Sequence, residues 1–371
     1  MRTPLCDQLG IEHPIIGFTP SEHVAAAISR AGGLGVLGCV RFNDATELDK
    51  VLSWLDDSTD GRPYGVDVVM PATIPTEGAA LDLNQLIPAG HRDFVEHTLA
   101  NLGVPPLPPG ARSADGVLGW LHSVARTQVE VALGHRARLI ANALGSPPAD
   151  VIASAHDRGM LVAALAGKAA HARSHVAAGV DIVVAQGYEA GGHTGEIATM
   201  VLVPEVVDAV GPQVPVLAAG GIGSGQQIAA ALALGAQGAW TGSQWLMVEE
   251  SSNTPVQQAA YVKASSRDTV RSRSFTGKPA RMLRNDWTEA WERPDNPKPL
   301  GMPLQYMVSG MAVRATNRYP NESVDVAFNP VGQVVGQFTK VEKAATVIER
   351  WVQEYLDATT RLDELNAAAA V

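Results

Sequence analysis

Apolar and polar positions along this chain follow two recurring periods. Short continuous apolar runs of strand length alternate with longer stretches in which apolar residues return every three or four positions. A continuous run suits a parallel strand buried on both faces, and the 3.6-residue period suits the helix that covers it. The runs are PIIG (14–17), LGVLG (34–38), YGVDVVM (64–70), RLIANALG (138–145), LVAALAG (161–167), VDIVVAQG (180–187), VPVLAAGG (214–221) and AQGAWTGSQWLM (236–247). Helical patterns separate them, among them SEHVAAAISRAG, with Ser21 in the N-cap position, and ADVIASAHDRG. Eight such strand–helix units in series predict an α/β fold of the (β/α)8 TIM-barrel kind, with a doubly wound open sheet as the rival.

Two stretches break this rhythm. Residues 71–135 carry PATIP, GVPPLPPGA and two helical patterns, and are expected to be an insertion at the C-terminal end of the third strand. Residues 251–334 are polar, rich in Arg, Asn and Pro and short of strand signals, and are expected to form a lid or substrate-binding subdomain. The barrel then comprises residues 1–250 and 335–371, closed by the amphipathic VEKAATVIERWVQEYLDA at 341–358. Loops that follow barrel strands lie on the catalytic face, so both excursions should roof the site.

Composition narrows the function classes. A net charge of −10 argues against general nucleic-acid binding, which needs a basic surface. Cys6 and Cys39 are the only cysteines, too few for a disulfide scaffold or a cysteine-only metal site. His193 and Glu196 alone do not make a metal site either, and no metal is expected. The N-terminus lacks an apolar signal region and no apolar run reaches membrane-spanning length, so a cytoplasmic protein without a membrane partner is expected.

Glycine placement carries the candidate chemistry. Gly33, Gly35 and Gly38 fit a dinucleotide fingerprint in spacing, but they follow a helix and lie inside a strand, so they read as close helix–strand packing. A better set is AAGGIGSGQQIAAALALG, where Gly220 and Gly221 end the seventh strand and a helix begins near Ser224. Free N–H groups and the helix dipole there would make an anion site. The eighth strand ends in TGSQW and adds Gly242 and the hydroxyl of Ser243. Glycine corners after strands seven and eight point to a phosphorylated ligand. The loop AQGYEAGGHTGE (185–196) is a second glycine-rich exit from a buried strand, with Glu189 and His193 among its glycines. An imidazole suits proton transfer because its pKa lies near working pH. Glu189 reads as solvated or bonded to a neighbouring loop rather than catalytic.

These segments resemble the nitronate monooxygenase (2-nitropropane dioxygenase) family, a group that also includes flavin-dependent enoyl reductases. The resemblance rests on AQGYEAGGHTG, VPVLAAGGIGSGQQIAAALALGAQG and TGSQWL, and continues in SFTGKPARMLRN (274–285), GMPLQ (301–305) and VGQVVGQ (331–337). It implies FMN, with its phosphate near Gly220, Gly221, Gly242 and Ser243 and its ring close to Gln186, Gly187, Gly191 and Gly192. His193 aligns with the family's catalytic histidine. The chain departs from the family pattern in two places. GFTP, including Gly17, Phe18 and Thr19, stands where a Gln-Ala-Pro-Met segment is usual, and Asp67 stands where an asparagine is common. The resemblance implies oxidation of nitronates or similar acidic-carbon substrates with O2. An FMN-dependent dehydrogenase or reductase of an enoyl- or oxo-thioester is the alternative, and a non-catalytic flavin-binding protein is the alternative of another class. Arg281 and Arg284 either pair with an acidic ligand or hold the lid.

Overall fold

Parallel strands close into an eight-stranded barrel that follows the order of the chain. The first six are β1 (Ile15–Thr19), β2 (Leu34–Gly38), β3 (Tyr64–Val68), β4 (Leu139–Asn142), β5 (Leu161–Ala166) and β6 (Ile182–Gln186). The two-residue β7 (Gly192–His193) stands outside the barrel. The strands β8 (Val216–Ala219) and β9 (Gly238–Thr241) complete it, β9 pairing with β1. The computed structural model describes residues 1–70, 83–108 and 122–369, so PATIP and the end of GVPPLPPGA lie outside the described residues.

Helices α1 (Pro4–Leu9), α2 (Glu22–Arg30) and α3 (Ala45–Ser58) precede β3, and α4 (Ala89–Asn101) and α5 (His122–Leu133) lie between β3 and β4. Then come α6 (Ala149–Asp157), α7 (Ala169–Ala177), α8 (Thr199–Val210) and α9 (Gly225–Ala233). After β9 the chain forms α10 (Pro255–Lys263), β10 (Thr269–Ser272), β11 (Ala280–Leu283), α11 (Asp286–Glu292), α12 (Leu304–Arg318) and α13 (Ala344–Ala369).

Strand alternation explains the two apolar layers. Leu34, Val36, Leu139, Val184 and Leu217 fill the barrel interior, while Val66, Ile140 and Val162 face outward and are covered by helices. Both faces are therefore buried, which is why the strands read as unbroken apolar runs. Ser21 caps α2, its side chain accepting from the Val24 N–H. Gly35 is required by packing: a Cβ there would lie 2.0 Å from the Ala25 carbonyl oxygen of α2. Gly33 packs against Ile28 of the same helix, so two of the three fingerprint glycines make a helix–strand contact, while Gly38 faces the Phe18 ring inside the barrel. Helix α13 closes the ring against α9 and α2, with Trp351 5.4 Å from Trp245 between ring centroids.

The two excursions meet. Val95 of α4 shares one apolar core with Phe275, Trp287, Trp291 and Ala312 from the later segment. The last part of the earlier excursion behaves differently: Ala125, Val129 and Ala132 of α5 pack into the barrel's outer layer, so this helix belongs to the ring. The later segment also holds strands that the sequence pattern did not signal. β10 and β11 pair antiparallel, and β11 pairs with β7. Each is only four residues long, and arginines interrupt their apolar positions.

Candidate active site

The loop leaving β6 turns back toward the later segment, where Gly192 and His193 pair with Arg281 and Ala280 of β11. His193 Nε2 lies 2.8 Å from Oγ1 of Thr276. The Thr276 hydroxyl donates to the Lys278 carbonyl at 3.2 Å, and with its proton placed there it accepts the imidazole Nε2–H. Withdrawal from water, and then the Lys278 ammonium, push the His193 pKa down to about 4. The ring is neutral around pH 7, the form that takes up a proton. Thr276 and Lys278 were not singled out by sequence reasoning, although both lie within the SFTGKPARMLRN segment that carried the resemblance.

Other polar residues of the loop are structural. Glu189 caps α8, accepting the Thr199 N–H at 2.9 Å and the Thr199 hydroxyl at 2.8 Å. Ala198 at the N-cap position has no such acceptor, so the loop supplies it. Arg281 is 2% exposed. Its Nε and Nη2 donate to the Tyr188 carbonyl at 3.2 and 3.1 Å, and its Nη1 donates to Thr269 Oγ1. Of its two candidate roles, these contacts support holding the lid. Arg284 is exposed. His175 is a core histidine, bonded to Ser146 and the Leu165 carbonyl.

The start of α9 and the ends of β8 and β9 lie together. Part of the α9 N-terminus is taken: the Gly225 N–H donates to the Glu354 carboxylate at 2.8 Å, and the Gln227 N–H to Ser224 Oγ at 3.3 Å. The strand ends offer further donors. Among the described residues, the N–H groups of Gly221, Ile222, Gly242 and Ser243 make no hydrogen bond. Gly220 and Gly221 have φ of 102° and 70°, a conformation that turns the backbone where a side chain would be strained. Ser243 Oγ accepts from the Gly332 N–H at 2.8 Å, which leaves its hydroxyl proton to donate.

The remaining candidates divide by direction. Phe18, Asp67 and Gln186 lie on the inward register of their strands; the Phe18 ring covers Gly38 and stacks with Trp240 at 6.3 Å. Gly17 faces outward, where a Cβ would meet Ile28 and Trp245, and the Thr19 hydroxyl accepts from the Ser21 N–H. The close approaches at Gly187 and Gly191 are made by the protein itself, by Thr199 and by the Val331–Gly332 backbone. Gly192 faces open space. Among the described residues, no cluster of His, Cys, Asp and Glu is arranged to hold a metal, and no helix is long and apolar enough to cross a membrane. Cys6 and Cys39 are buried free thiols.

The closed eight-stranded parallel barrel places the molecule in the class of (β/α)8 barrel proteins. Residues 2–354 match the family model described as nitronate monooxygenase. The chain is 50% identical to a protein of Mycobacterium tuberculosis (strain ATCC 25618 / H37Rv) named as a monooxygenase, covering 98% of this chain and 99% of that one. It is 31% identical to an octahydro-indene carboxyl-CoA dehydrogenase of the same organism, over 79% of this chain and 69% of the other. Among solved structures, nitroalkane oxidase from Streptomyces ansochromogenes superposes with a TM-score of 0.79 at 28% identity, covering 96% of this chain and 99% of that one. The chain belongs to the nitronate monooxygenase family, a family of flavin oxidoreductases that act on small molecules. The unbonded N–H groups and donor hydroxyl at the ends of β8 and β9 fit the phosphate of such a cofactor.

Proposed function

We infer that the protein is an FMN-dependent oxidoreductase that oxidises nitronates or similar acidic-carbon substrates with O2. The observation that carries this reading is the buried His193 imidazole held 2.8 Å from the Thr276 hydroxyl, where burial and then the Lys278 ammonium keep it neutral. A neutral imidazole can remove a proton from carbon, and an ammonium near the substrate would stabilise the anion left behind. The bond to Thr276 orients the ring. Gly220, Gly221, Gly242 and Ser243 would hold the phosphate, and Phe18, Asp67, Gln186 and Gly192 would lie against the ring. Bound FMN supplies the electron acceptor, chemistry that belongs to the cofactor. A single phosphate corner supports FMN over FAD, since the glycines at 33–38 are committed to packing.

A second reading, dehydrogenation or reduction of a thioester, is favoured by the relative named as a carboxyl-CoA dehydrogenase. Both readings need a flavin and differ in substrate. Mass analysis of flavin released from the purified protein should give FMN; FAD, or no flavin, would contradict the proposal. An anaerobic reduction screen then separates the substrates: bleaching by nitronates without NADH or NADPH supports the first reading, and bleaching only by acyl-CoA esters supports the second.

A further inference from the structure

Asp67 is an acid on the inward register of the barrel, with no opposite charge against it among the described residues. It sits on β3 at the register of Gly38 on β2 and Ala141 on β4, neither of which has a polar side chain. The residue is 4% exposed. Among the described residues its carboxyl makes no hydrogen bond or ion pair, yet neither oxygen is among the fully sealed, unpartnered atoms. The acid faces the barrel interior with a little of its surface left exposed, at the register of Gly38, which the Phe18 ring covers.

We propose that Asp67 is held as a neutral carboxylic acid and donates its hydroxyl proton to a ring nitrogen or carbonyl oxygen of the bound flavin. This rests on the flavin reading above. Burying an ionised carboxylate without a partner is costly, so the group keeps its proton instead. Burial alone accordingly raises its pKa well above the usual carboxylate range, and no cation opposes the shift. The surrounding titratable groups agree. Just past β2 the Cys39 thiol is buried and pushed up, by loss of water first and then by Asp67, while Arg41 acts on that thiol in the opposite sense. On β3 Tyr64 faces outward to Asp56. On β4 the side chain of Asn142 is spent on the Met70 backbone and the Gly145 carbonyl. On the β1 side Phe18 and Thr19 do not titrate, and the cationic Lys278 acts on His193. A neutral acid supplies the donor that an amide would supply, without placing a negative charge against a ring that gains electrons.

Three measurements on the purified flavoprotein test this against Asp67→Asn and Asp67→Leu. The first is the thermal midpoint from pH 5 to 8. Because the native acid keeps a proton that the unfolded chain releases near pH ~4, wild-type stability falls as pH rises above that value. Asp67→Asn does not titrate, so its midpoint should gain steadily on the wild type with rising pH; His193 and Cys39 titrate in both and cancel. A gap that ignores pH, or one that favours Asp67 at high pH, overturns the neutral acid. The second is the infrared difference spectrum at pH 7, which should show a carboxylic-acid carbonyl band lost in Asp67→Asn; its absence overturns the proposal even if Asp67→Leu does not fold. The third is the flavin midpoint potential. Asp67→Asn should leave it near the wild-type value and Asp67→Leu should shift it negative. A large positive shift in Asp67→Asn would mean that an anion had been removed. A protein that never binds flavin would overturn the preceding reading and the donor role, while the melting and infrared results would still decide the protonation state.

Discussion

At the scale of single residues, burial and Lys278 act on His193 in the same direction, so its imidazole resists protonation. The linked stability has a definite sign. An unfolded histidine takes up a proton near ~6.5, whereas the native ring does so only near 4, so the folded state loses stability as pH falls through that window. His193→Asn has no such titration and should gain thermal midpoint relative to wild type as pH falls from ~6.5 to ~4. A gap independent of pH would mean that the imidazole is hydrated and titrates as it does in the unfolded chain. AGGH singled out His193 in the sequence, but on the ground of a pKa near working pH, and the burial that lowers it was not legible there. Nor were Thr276 and Lys278: they reach His193 only because β11 pairs with β7, and no spacing within either segment announces that pairing.

At the scale of elements, local signals were the readable ones. Ser21 lies beside the helix it starts and caps it as the pattern implies, and Ser224, near which α9 was expected to begin, caps that helix. One donor at the α9 N-terminus has a partner that no local pattern signals: Glu354 of α13, 129 residues away, takes the Gly225 N–H. This contact separates two substitutions that would otherwise look alike. Gly221→Asp puts a carboxylate and a strained φ among the unbonded N–H groups, so FMN retention on purification should fall sharply. Glu354→Ala should retain FMN but lose about 0.5–2 kcal/mol of stability, the usual cost of a lost helix cap. Flavin content and melting of the two variants check both halves. If Glu354→Ala also sheds FMN, the helix terminus takes part in the corner.

At the scale of the whole molecule, an apolar barrel with doubly buried strands supports a catalytic face built from chain segments remote in sequence. The apolar runs disclosed the barrel because burial on both faces leaves little freedom in residue choice. They did not disclose that α4 and the 275–326 region share a core, since apolar residues in short irregular segments have no period that names their partner. On the proposed function, this roof brings His193 to a substrate as a neutral base. The most direct test follows flavin reduction anaerobically in wild type and His193→Asn, with one nitroalkane supplied as the neutral acid and as its pre-formed nitronate. The variant should keep its FMN and lose about 10² to 10⁴ in rate on the neutral form, the usual contribution of a general base. It should lose much less on the nitronate, which has already given up its proton. Equal losses on both forms, or no loss on either, would contradict a proton-accepting role for His193.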